Sequence, residues 1–172
     1  MANVLVVIES PSKKQLYESI LSAAGLNRFR IVATKGRLFD IPGNELGIDR
    51  STLKITSYEP VRPSVVKYLK EQIAESREVI ALTDLDPEGE LIAYEIKSIC
   101  KSLSKPFRRL RPSALTESSI QDCLDSNEQD VDQKIVERCL ARRVVDRLIG
   151  HASSFRVGRI VSPALSILSQ GN

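Results

Sequence analysis

Two stretches of this chain share one grammar. "NVLVVIESP" (3–11) and "EVIALTDLDP" (78–87) each pass from an apolar, largely β-branched segment through an acidic residue to a polar residue followed by proline. An unbroken apolar run of strand length suits a strand buried on both faces. Ser or Asp before Pro marks a helix start, because proline in the first helical turn gives up no hydrogen bond. A chain that repeats strand, acid and capped helix is committed to crossover connections, which parallel strands require.

The alternation continues along the chain. A helix is predicted from Pro11 to about Ala24, ended by Gly25, with a short strand in "FRIVAT" (29–34). Residues 35–50 have the Gly, Pro, Asn and Asp content of a loop, and "KITSYEP" (54–60) is a short candidate strand. Between Ser64 and Arg77, Val65, Val66, Tyr68, Leu69 and Ile73 put a helical face together, which makes Tyr68, like Tyr94 further on, an expected packing residue. Helices are predicted at about 88–103, 116–126 and 131–152. "FRRLRPSAL" (107–115) reads as a strand that Pro112 pushes toward a sheet edge or a strand end. The predicted fold class is α/β, a mainly parallel sheet flanked by helices and followed by a helical segment. Ligands of such sheets lie outside the carboxyl ends of the strands, where Glu9 and Asp84 both fall.

Composition narrows the function. With 172 residues the chain fits one main domain and an appendage. Net charge is +3, from 25 Lys+Arg against 22 Asp+Glu, too balanced to announce a nucleic-acid binder. The basic residues gather in "KPFRRLRP" (105–112) and "ERCLARRVVDR" (137–147), where phosphate contact and local ion pairing are both open. Cys100, Cys123 and Cys139 are odd in number and form no C-x-x-C pair, so neither a disulfide framework nor a zinc site is expected. The longest apolar run, Val4 to Ile8, is far short of a membrane span, and the first residues lack a signal peptide's pattern. The expectation is a cytoplasmic protein without a membrane partner.

Asp84, Asp86, Glu88 and Glu90 crowd negative charge into one turn. If the two buried strands are neighbours, Glu9 joins them and the carboxylates resist deprotonation. A hard divalent cation resolves that conflict, and Mg²⁺, which takes oxygen ligands and few carboxylates, suits a D-x-D pair on a turn. The plainer alternative keeps Asp86 as an N-cap, and Glu88 and Glu90 as acids that complement the helix dipole. Lys13 opposes that dipole in its own helix, a placement that a phosphate partner would explain.

In this order, "VVIESPSKKQ" (6–15), "VATKGRLFDIP" (32–42), "ALTDLDPEGELIAYEI" (81–96), "ARRVVDRLIG" (141–150) and "VGRIVSPAL" (157–165) resemble the N-terminal part of type IA DNA topoisomerases. The first and third carry the two halves of a TOPRIM signature. The resemblance implies a TOPRIM domain over 1–127, and over 128–172 the start of the adjoining helical DNA-binding domain. It implies Glu9 as the proton-handling glutamate, Lys13 as the lysine that places the scissile phosphate, and Asp84, Asp86 and Glu88 as the acids around Mg²⁺. Lys13, Arg37 and Arg159 would contact DNA, and Asp146 and Arg147 match a pair of structural character. The implied activity is ATP-independent cleavage and religation of a single DNA strand, beside the remaining topoisomerase domains. In a prokaryote the setting would be the nucleoid.

The departures are specific. Pro87 stands where the family's D-x-D-R-E-G-E has arginine, Arg37 where many members have histidine, Val161 in place of a glutamine and Ala114 in place of a glutamate. None of Tyr17, Tyr58, Tyr68 and Tyr94 lies in the family's nucleophile context, so the attacking tyrosine is expected on a later domain. Two other readings stay open at this stage. One is a stand-alone metal-dependent nuclease that uses water as nucleophile, and the other is a non-catalytic DNA-binding module.

Overall fold

The computed structural model describes residues 4–126 and 130–152. Among them the strands are β1 (Val4–Ile8), β2 (Phe29–Ala33), β3 (Phe39–Asp40), β4 (Glu59–Pro60), β5 (Glu78–Ala81) and β6 (Phe107–Arg109). The helices are α1 (Lys14–Ala23), α2 (Pro63–Glu75), α3 (Pro87–Ser102), α4 (Glu117–Asp125) and α5 (Gln133–Ala152). Four strands form one wholly parallel sheet in the order β2-β1-β5-β6. Alternate residues of each strand point to opposite faces. Leu5, Val7, Val32, Val79 and Ala81 pack with Val66, Leu69 and Ile73 of α2 and Ile92, Ile96 and Ile99 of α3. Val6, Ile8, Ile31, Ile80 and Leu82 pack with Tyr17 and Leu21 of α1 and Ile120 of α4. Burial on both faces is why the strands are apolar throughout rather than alternating.

Strand order also fixes where a ligand can sit. From β1 the chain crosses through α1 to β2 on one side, and from β5 it crosses through α3 to β6 on the other. Between β1 and β5, paired in register from Val4–Glu78 to Val7–Ala81, the two connections diverge. That is a topological switch point, and it opens a crevice outside the strand ends.

Several local expectations change. After Pro11 the chain makes a short 3₁₀ turn (Pro11–Lys13) before α1, and Ser10 bonds Ser12 Oγ at 2.8 Å instead of capping. Residues 54–60 contribute only β4 and an isolated bridge between Ile55 and Ile48, while the predicted loop holds β3. β6 ends at Arg109, ahead of Pro112, which has no N–H to give a ladder. Tyr68 is 50% exposed and not a packing residue, whereas Tyr17 lies in the core at 3%.

By contact density the chain groups into two compact units, Met1–Phe39 with Pro60–Val136, and Asp40–Glu59 with Glu137–Asn172. The parallel sheet belongs to the first. In the second, Ile41, Ile48 and Val144 form a small core. There Arg143 pairs with Asp40, Arg147 donates to Ile41 O at 2.7 Å, and Arg142 lies 3.9 Å from Asp146. No helix among the described residues is long and apolar enough to cross a membrane.

Candidate active site

The crevice is built by backbone first. The ladder runs past the strand ends through Leu82 N to Val7 O (2.8 Å), Thr34 N to Ile8 O (2.9 Å) and Lys35 N to Glu9 O (2.8 Å). Glu9 is therefore held between the ends of β2 and β5. Asp84 comes three residues after β5, and α3 starts against it: an added Cβ on Gly89 would lie 2.2 Å from Asp84 O. The glycine is required by that close approach. Thr83 Oγ1 donates to Gly89 O at 2.6 Å and locks the same turn. Gly89→Ala is accordingly expected to cost about 1–3 kcal/mol through forced displacement of the Asp84 peptide, read as a lower urea midpoint.

Asp84, Asp86 and Glu88 each have a direct partner. Lys13 Nζ donates to both oxygens of Asp84, at 2.7 and 2.8 Å. That hydrogen bond raises the lysine above its ordinary pKa. Asp86 caps α3, its Oδ1 accepting from Gly89 N at 2.6 Å, and Glu88 Oε1 lies 3.7 Å from Arg37 Nε. Glu9 is half-buried and its carboxyl is raised, first by burial and then by the negative charges of Asp84, Asp86 and Glu88, with Lys13 opposing. The four acids thus form one electrostatic neighbourhood, as the sequence expected. Arg37, its side chain 10% exposed, faces Glu88 and Glu95. Arg159 lies outside the described residues.

Among the described residues, no three acidic, histidine or cysteine side chains converge in metal-holding geometry. The donor set nevertheless fits a hard cation. Its ligands are all oxygens, its members repel one another, and the groups that face them are the ammonium of Lys13, the guanidinium of Arg37 and a helix amide.

The sequence missed the residue pair that holds this loop in place. Arg109, fully buried at 0%, donates to Thr83 O (3.0 Å), Asp84 O (3.1 Å), Leu110 O (2.9 Å) and Glu90 Oε2 (3.1 Å). Glu90, 3% exposed, also accepts from Arg111 at 2.9 Å and from Asp132 N at 2.6 Å. Burial opposes its ionisation, yet Arg111, the Asp132 amide and the charge of Arg109 together hold its carboxyl below the ordinary value. Glu90 stands in the first turn of α3, as expected of a helix-start acid, and is in addition a buried ion-pair partner. Apart from the buried Arg109, the basic segment 105–112 makes local pairs: Arg108 with Glu78 at 3.4 Å, and Lys105 donating to Ser76 O at 2.7 Å. A basic cluster reads the same in sequence whether it faces water or carbonyls, so only the contacts separate the two.

The profile of the Toprim domain matches residues 4–115. The chain belongs to the Toprim domain family. Curated relatives of this Toprim chain include the DNA topoisomerase 1 of Fervidobacterium islandicum, 32% identical over 164 residues, which are 94% of this chain and 22% of that protein. The DNA topoisomerase 1 of Aquifex aeolicus (strain VF5) is 33% identical over 176 residues, 95% of this chain and 32% of that protein. The Toprim chain therefore spans less than a third of these relatives. Full-length topoisomerase I from Thermotoga maritima superposes with a TM-score of 0.73 at 27% identity, over 90% of this chain and 27% of that one. The likeness is to the TOPRIM-containing part of type IA topoisomerases.

Proposed function

We propose that this chain is the cation- and phosphate-handling part of a type IA DNA topoisomerase, acting in ATP-independent cleavage and religation of one DNA strand. The observation that carries the reading is the meeting of Glu9, Lys13 and Asp84 at the switch point between β1 and β5. Asp84, Asp86 and Glu88 would hold Mg²⁺, which when bound supplies positive field to the phosphate oxygens. Lys13, released from Asp84, would donate to a non-bridging phosphate oxygen. Glu9 holds a proton more readily than an ordinary glutamate, because of burial and its acidic neighbours. Proton transfer to the leaving sugar hydroxyl is therefore its assigned role. Arg159 and, once freed from Glu88 and Glu95, Arg37 would complete the proposed DNA contacts, with the substrate a single-stranded segment.

The nucleophile belongs to the partner portion. A tyrosine hydroxyl there attacks phosphorus, the phosphotyrosine bond forms as the phosphate–sugar oxygen bond breaks, and the reverse step restores the strand. Energy is stored in the covalent link, so no nucleotide is consumed. The likeness to DNA topoisomerase 1 over nearly the whole chain favours this division of labour over a stand-alone nuclease, and the setting it implies is cytoplasmic, beside chromosomal DNA.

A chimera tests the reading. Substituting this chain for the matching segment of the Aquifex aeolicus enzyme is expected to preserve Mg²⁺-dependent relaxation, while the chain alone leaves supercoiled DNA unchanged. Nicked DNA released by the isolated chain without a covalent adduct would refute it in favour of a water nucleophile.

A further inference from the structure

Glu95 is a buried acid with no role in the reading above. It lies on α3 seven positions after Glu88, hence on the same helical face. Its Oε2 accepts the amide of Leu38 at 2.8 Å, its carboxylate also takes the amide of Phe39, and its Oε1 lies 3.7 Å from an Arg37 guanidinium nitrogen. Arg37 in turn donates to Phe39 O at 2.8 Å and approaches Glu88 at 3.7 Å. The chain enters this arrangement through Lys35 (φ 60°) and Gly36 (φ 97°), both left-handed, with Arg62 bonded to Lys35 O. For a lysine that conformation is unfavourable, so the surrounding contacts must hold it. They turn Arg37 inward, against two carboxylates of one helix.

We propose that Glu95 is a positioning residue that acts through Arg37, setting how firmly the guanidinium holds Glu88 back from an incoming divalent cation. An ionised Glu95 shares the guanidinium with Glu88, and a neutral Glu95 leaves more of the positive charge to Glu88. Burial, the largest influence, pushes the Glu95 carboxyl up to about 7, against the Leu38 and Phe39 amides and the charge of Arg37, with Glu88 adding to the rise. The arrangement thus changes state near neutrality. Below that pH Glu88 is the more strongly held, and above it Glu88 becomes more available.

This inference rests on Asp84, Asp86 and Glu88 as the cation-holding acids. Calorimetric titration of the full chain with MgCl₂ at pH 6 and pH 8 tests it. Wild type is expected to bind Mg²⁺ roughly threefold to tenfold more tightly at pH 8, the scale of one unit charge acting across a part-solvated gap of several ångströms. Glu95→Gln, nearly isosteric and permanently neutral, should remain near the pH 6 affinity at both values. Arg37→Gln should bind at the higher level at both. The Glu9 carboxyl, also raised, is common to wild type and variants, so the quantity read is the wild-type step minus the variant step. Urea midpoints taken alongside separate this from simple loosening, which would lower stability and leave the pH step intact. Mg²⁺ binding with an undiminished step in Glu95→Gln overturns this inference alone. No Mg²⁺ binding by wild type at either pH overturns the cation reading as well.

Discussion

Arg109→Ala is expected to destabilise the chain by about 3–5 kcal/mol, the range for removing one partner of a buried ion pair. The loss has two sources. Glu90 keeps Arg111 and the Asp132 amide but loses its fully buried counter-ion, and the carbonyls of Thr83, buried, and Asp84, part-buried, lose a donor. Arg109→Lys should recover only part of this, since an ammonium is a compact point charge and cannot span four acceptors on different segments. Replacing the pair together, as Arg109→Met with Glu90→Leu, should be milder for stability than Arg109→Ala, because the two buried charges leave together and Arg111, which loses Glu90, is part-exposed and keeps Asp130 O. That double variant still removes the donors from the Asp84 loop. It should therefore fold and bind Mg²⁺ weakly, which separates the pair's contribution to folding from its hold on the site. Urea denaturation and MgCl₂ titration of the three variants measure the two effects.

Asp84→Asn with Asp86→Asn is expected to abolish the Mg²⁺ response of the isolated chain. In the chimeric enzyme it should lower strand cleavage by about a thousandfold or more, since Lewis-acid stabilisation contributes several kcal/mol and each 1.4 kcal/mol is a factor of ten. Asparagine is the informative choice. It caps a helix about as well as aspartate, so the bond from Gly89 N to position 86 survives and the charge is what changes. Asparagine at 84 still accepts from Lys13 but no longer as a carboxylate, so the lysine should lose most of its upward shift. The Glu9 carboxyl should move down, because two of the three negative charges that raise it are gone. Carboxyl titration followed by NMR reads that change directly. An unmoved Glu9 would mean that these acids do not share one site.

Much of the fold was legible because it depends on local chemistry. The apolar runs at 4–8 and 79–82, the proline after each acid and the glycine at 25 have the same meaning wherever they sit, and α1, α2, α3 and α5 appear close to their expected places. What was not legible depends on distance along the chain. Whether "FRRLRP" faces water or carbonyls is decided by β6 pairing with β5, which drives Arg109 inward beneath the Asp84 loop. Glu90 looks like one more acid in a helix's first turn until α3 packs on the sheet and carries it to two arginines.

The sequence by itself determined that parallel strands would end in acids, and which acids these would be, because strand burial and helix starts are written within a few neighbouring residues. Tertiary structure alone decided that β1 lies beside β5, so that Lys13 reaches Asp84 across 71 positions of chain, and that Arg37 turns inward to Glu95. Those outcomes follow from strand order and from the space left under α3. Neither is encoded in any short run of residues, because each is a property of surfaces that exist only once the helices have packed on both faces of the sheet.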